Sequence, residues 1–96
     1  MGIQEILEKQ RPEILRIAHK HGVEDIKVFG SIARGEAREN SDVDFLITAG
    51  FKVSPWFPGG LVADLEELLG RKVDVVEPKA LRPEIRQNVI HEARPL

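Results

Sequence analysis

Apolar positions along the chain change period several times, and each change marks an element. Ile3, Ile6, Leu7, Ile14, Leu15 and Ala18 recur at helical spacing and Gly22 follows as a stop, which predicts an N-terminal helical region. Pro12 falls inside that pattern. It fits the first turn of a second helix beginning near Arg11, or a kink in one longer helix, and the pattern allows both. Asp25 to Phe29 (DIKVF) reads as a short strand, after which Gly30 and Ser31 open a short helical segment that closes near Gly35. Val43, Phe45 and Ile47 then alternate with Asp42, Asp44 and Leu46. A second strand is expected there, with one apolar face and two carboxylates at the start of the other.

Residues 49 to 60 (AGFKVSPWFPGG) mix glycine and proline with Phe51, Trp56 and Phe57, which suits a loop. Leu61, Leu65, Leu68 and Leu69 have the spacing of an amphipathic helix, ended by Gly70 ahead of a third strand, Lys72 to Val76. Leu81, Ile85, Val89 and Ile90 mark a last helix with Pro83 in its first turn, and the tail from Glu92 to Leu96 reads as a short edge strand. Alternating strands and helices without an internal repeat predict one domain over residues 1–96. The fold class is α/β (α+β), a small mixed sheet packed by helices.

Composition narrows the function classes. With 42% hydrophobic and 31% charged residues in 96, the chain can bury a modest core. Fourteen basic against 16 acidic residues, a net charge of −2, give no positive field for duplex nucleic acid. The absence of cysteine excludes disulfides and thiolate metal sites and suits a cytoplasmic location. Met1 to Gln10 has no continuous apolar run of the kind a signal peptide or membrane span needs.

The informative stretch is Gly30 to Asp44, GSIARGEARENSDVD: a Gly-Ser pair, ten residues, then Asp-x-Asp. Gly30 lets backbone approach a phosphate closely, and Ser31 adds a hydroxyl and an N–H at a helix start. Asp42 and Asp44, two apart on a strand, project from one face. At ~4 Å and an effective dielectric near 20, such a pair repels by about 4 kcal/mol, so it protonates, splays into water or binds a cation. Mg²⁺ takes oxygen ligands and is completed by substrate phosphates. Asp74 lies between Val73 and Val75, whose burial would turn its carboxylate to the opposite face. If the third strand neighbours the second, three carboxylates meet in the arrangement of two-metal phosphoryl transfer, Asp42 and Asp44 on the metals and Asp74 on the catalytic ion and the acceptor proton.

On VFGSIARGEARENSDVDFLI, LEELLGRKVDVVEPKAL and IRQNVIHEA, the chain resembles the minimal nucleotidyltransferase (MNT) domains of the DNA polymerase beta superfamily. The resemblance runs nearly end to end. It implies Mg²⁺, two ions, at Asp42, Asp44 and Asp74, with the phosphates of a nucleoside triphosphate, ATP as donor, at Gly30 and Ser31. It also implies a partner, an HEPN-domain ribonuclease toxin that such proteins adenylylate on a side-chain hydroxyl. Two departures stand out. Larger relatives carry further domains that hold base and acceptor, for which 96 residues leave no room, so base selectivity is expected to be weak or supplied by a partner. The closing EARPL stands where the family has an apolar edge strand, and Arg94 with Pro95 count against that strand.

Bland readings stand beside the sharp ones. Arg34 is as much a solvated arginine as a triphosphate contact, and Arg38 more so. His19, His21 and His91 lack ligand spacing and read as surface or capping residues. Phe51, Trp56 and Phe57 fold back as a satellite core or form an apolar patch beside the site that docks a partner. The chain contains no tyrosine, so any tyrosyl acceptor comes from another molecule. The competing functions are a non-catalytic module that neutralises its partner by contact, and a nucleotide-binding subunit of a larger transferase.

Overall fold

The computed structural model describes residues 2–96. The first helix, α1 (Ile3–Lys20), runs without a break past Pro12, which settles the choice between one helix and two. It buries Ile3, Leu7, Ile14, Ile17 and Ala18, a stripe one helical face wide. Strand β1 (Val23–Phe29) begins two residues earlier than its apolar run suggests, because Val23 is paired with Ala49 across a register shift. The segment after it differs from expectation. Ser31 to Gly35 forms turns, closed by Arg34 N–H to Gly30 O (3.1 Å) and Glu36 N–H to Ser31 O (2.8 Å), and does not propagate as a helix.

Strand β2 (Val43–Ala49) lies antiparallel to β1, with Phe29 opposite Asp44. Helix α2 (Gly59–Leu69) ends at Gly70, whose φ of 65° is the left-handed cap that glycine takes without steric cost. It returns the chain to strand β3 (Val73–Val76), which pairs with β2 in parallel, the geometry that requires such a crossover. After a 3-10 turn at Pro78–Ala80 come α3 (Pro83–Glu92), with Pro83 in its first turn, and strand β4 (Arg94–Pro95). The sheet order is β3-β2-β1-β4.

The edge strand does form, but shorter than expected. Glu92 stays helical, and only Arg94 and Pro95 pair with Val28 and Lys27. Proline is tolerated there because an edge strand has a side that needs no ladder donor.

The core lies between the sheet and helices α1 and α2. Val43, Phe45 and Ile47 from β2 meet Ile14 of α1 and Leu61 and Leu65 of α2, all almost fully buried. Each contributes roughly 1.5–3 kcal/mol through burial. Phe45 is the largest of them and sits between Asp44 and Leu46, so Phe45→Ala would cost about 3–5 kcal/mol and loosen the strand that carries Asp44. Helix α3 has no fully buried residue and leaves Ile85 and Ile90 exposed. Among the described residues no helix is long and apolar enough to cross a membrane.

Candidate active site

Strand polarity brings four of the singled-out residues to one end of the sheet. β1 ends at Phe29 and delivers Gly30 and Ser31, while antiparallel β2 begins there with Val43 and Asp44. Parallel β3 places Asp74 directly opposite Asp44 in the ladder. Val73 is buried and Val75 packs against the core, which leaves Asp74 exposed on the other face, as the alternation predicts. Asp42 precedes β2 and is exposed. The approach to it is fixed by Ser41, whose Oγ accepts the Arg38 N–H at 2.7 Å. At the start of β3, the Glu66 carboxylate accepts the Val73 N–H at 3.0 Å.

Gly30 is needed here for two reasons. Its φ is 74°, and a Cβ on it would collide with the Asp44 carboxylate, reaching within 3.2 Å of Cγ. Backbone and carboxylate are therefore packed directly together. Gln4 Nε2 donates to Ile32 O at 2.9 Å and ties the turn to α1.

Charge at this end is poorly compensated. Burial pushes the Asp44 carboxyl above its ordinary value, and the negative charges of Asp74 and Asp42 push it further, with Arg34 opposing. The three carboxylates feel one another without closing on one another: among the described residues no three His, Cys, Asp or Glu side chains form a ready metal cage. Their donor set is entirely oxygen.

Arg34 is not a free solvated side chain. Its Nη1 donates to Glu92 Oε1 at 2.5 Å and its Nε to Glu36, contacts that raise its already high pKa. Glu92 also accepts the Gly30 N–H at 3.1 Å, and Arg34, with that amide, holds its carboxyl below the usual range. Reading the sequence alone missed Glu92. The residue lies inside the family-like segment IRQNVIHEA, which was the available signal, but 62 positions separate it from Gly30.

The nucleotidyltransferase family model of polymerase beta matches residues 3–96. This chain belongs to that family. The nucleotidyltransferase is 39% identical over 93 residues to a Methanocaldococcus jannaschii protein provisionally named as a protein adenylyltransferase, covering 97% of this chain and 96% of that one. It is 38% identical to the protein adenylyltransferase MntA of Thermococcus cleftensis, over 94% and 88% of the two chains. Among solved structures, one provisionally described as a minimal nucleotidyltransferase superposes with a TM-score of 0.84 at 41% identity, covering 96% of this chain and 94% of that one. A toxin–antitoxin complex with AMP-PNP shares the fold at a TM-score of 0.71 and 22% identity, over 86% of this chain and 68% of that one.

At the opposite end of the nucleotidyltransferase sheet, two expectations need correction. His21 caps α1, as one reading had it, but it is not a surface residue: only 6% of it is exposed. Its Nδ1 lies 2.6 Å from Ser54 Oγ and its Nε2 2.7 Å from Asp64 Oδ2, so it clips the loop after β2 to α2. The aromatics divide between the two readings. Phe57 packs against the core, whereas Phe51 and Trp56 are 100% and 90% exposed. Nor is their loop beside the carboxylates, because β2 leads away from Asp44 for five residues, about 17 Å, before the loop begins.

Proposed function

We propose that this nucleotidyltransferase moves AMP from ATP onto a hydroxyl of a partner protein, as the antitoxin of an HEPN/MNT toxin–antitoxin pair. The observation that carries the chemistry is the register of Asp44 opposite Asp74 with Gly30 packed on the Asp44 carboxylate. It brings closely approached backbone beside paired anionic oxygens. The target class is supported by relatives named protein adenylyltransferases that match nearly end to end. A toxin partner is supported by the fold shared with toxin–antitoxin complexes.

In this reading Gly30 and Ser31 seat the triphosphate and Arg34 neutralises part of its charge. Asp42, Asp44 and Asp74 would hold two Mg²⁺ ions. An all-oxygen set in which Asp74, Asp42 and Glu92 outweigh Arg34 at Asp44 suits a hard dication, and Mg²⁺ needs no closed protein cage because water and phosphates complete its shell. Such ions, when bound, stabilise the entering and leaving oxygens of an in-line displacement at the α-phosphorus. Asp74, exposed at the ladder edge, takes the proton from the acceptor hydroxyl. The new bond joins that oxygen to the α-phosphorus, the bond to the β-phosphate bridge breaks, and pyrophosphate leaves. A tyrosyl acceptor must be supplied by the partner, since this chain has none.

The test uses labelled ATP, Mg²⁺ and the product of the neighbouring gene. Label is expected on the partner and not on the chain alone, and Asp74→Asn keeps nucleotide binding while losing transfer. Wild-type transfer by Asp74→Asn would reject the proton role. Neutralisation of the partner by an Asp42→Ala, Asp44→Ala double variant would replace the enzymatic reading with a contact-only module.

A further inference from the structure

The groups read above as the phosphate seat already hold an anion. Glu92 Oε2 takes the Gly30 N–H and Oε1 takes Arg34 Nη1, so one carboxylate spans two donors that a phosphate would span. Its negative charge also reaches Asp44, adding to the repulsion there. We propose that Glu92 is an intramolecular stand-in for a nucleotide phosphate, and that nucleotide entry requires its carboxylate to leave Gly30 and Arg34. The proposal rests on the reading of Gly30 and Arg34 as phosphate ligands and adds a competitor for them from the same chain.

Three features make the displacement inexpensive. Glu92 is the last residue of α3, a helix with no fully buried side chain. The strand that follows is paired through Arg94 and Pro95 only. The Arg34 side chain is half exposed, where an ion pair contributes little, so a multiply charged phosphate can take its place. A protein whose competent state is partly populated binds with an affinity reduced by that fraction, which makes Glu92 a brake on nucleotide affinity. The opposite role predicts the opposite sign: if Glu92 merely held Arg34 and the turn ready for phosphate, losing it would weaken binding.

The experiment is calorimetry of ATP with Mg²⁺ on the full chain, comparing wild type, Glu92→Gln and Glu92→Ala. Removing the charge is expected to tighten ATP roughly threefold to tenfold in both variants, since it weakens or removes the hold on the donors and relieves repulsion. Unchanged or weaker binding in the variants, with wild type binding, overturns the proposal alone. No binding by any of the three overturns the phosphate-seat reading, and the proposal with it. Glu92→Gln preserves size and a hydrogen-bonding oxygen, so it decides the matter by itself if Glu92→Ala fails to fold.

Discussion

The two ends of the sheet handle buried and half-buried charge in opposite ways. At one end His21, Ser54 and Asp64 form a closed set, and Asp64 also accepts from Lys20 at 3.3 Å. His21 and Lys20 lower the Asp64 carboxyl below its ordinary value. At the other end Asp44 faces Asp74 and Asp42 with Arg34 already engaged by Glu92 and Glu36, and its carboxyl is raised. Satisfied polar groups hold a fold together, and uncompensated ones are retained where something else is to bind. Under the proposed function, the contrast separates residues that maintain the molecule from residues that would receive a ligand.

The largest expected effect breaks the contrast in activity. Asp42→Ala or Asp44→Ala should lower transfer by ~1,000-fold or more, because ion-mediated charge stabilisation is worth several kcal/mol, while melting temperature does not fall. Initial rates with labelled ATP and thermal melts of the same preparations check it. His21→Ala should do the reverse. It removes a buried ring and takes its partner from Ser54 Oγ, at a cost of about 2 kcal/mol, a fall of roughly 8–16 °C in a domain of this size, and leaves nucleotide affinity intact. A melt together with an ATP titration distinguishes that from a general collapse.

Smaller effects sharpen the comparison. Trp56 holds a φ of 64° while 90% exposed, so Trp56→Gly should relieve backbone strain and gain about 0.5–1 kcal/mol in denaturant titration. Asp44→Asn should stabilise the metal-free protein by about 0.5 kcal/mol, discounted because solvent screens a half-exposed group. The pH dependence has a definite sign. A carboxyl raised in the folded state contributes stability that is present below its unfolded pKa and is lost as pH rises through the folded value. Asp44 therefore penalises stability from about pH 4 upward, and Asn removes that slope. Asp64, whose pKa is lowered, contributes above its unfolded pKa and loses that contribution as pH falls through its folded value. Melts from pH 3 to 7 should show the Asp44 slope vanish in Asp44→Asn while the acid-side loss persists.

Much of this was legible in the chain, and the gaps have physical causes. Alternation around Val43 and Val73 set Asp44 and Asp74 on the same kind of face, since a strand has no other way to bury its valines. Their meeting depended on strand order, which no local pattern encodes; the parallel register of Asp44 with Asp74 comes from the α2 crossover. Aromatics near a motif suggest an anchor beside the site, but the run of β2 from Asp44 to Ala49 carries the Trp56 loop to the far end. The turn after Gly30 looked helical because its first residues suit a helix start, yet it closes within one turn. Glu92 escaped notice because a hydrogen bond to a residue 62 positions away leaves no local trace.

The same long span has a consequence for the order in which the molecule is made. Gly30, Asp44, Asp74 and Glu92 enter the growing chain at widely separated moments, and pairing of β2 with β3 must wait until α2 has been synthesised. Parallel pairing closes a long loop before it gains contacts, which makes it a late folding event. Synthesis at roughly 5–20 residues per second separates Asp44 from Asp74 by a few seconds. During that interval the hairpin of β1 and β2 presents Gly30 and Asp44 without Asp74 or Glu92. Under the proposed function, a nascent chain thus carries the phosphate seat before its third acid and before the carboxylate that would compete for it.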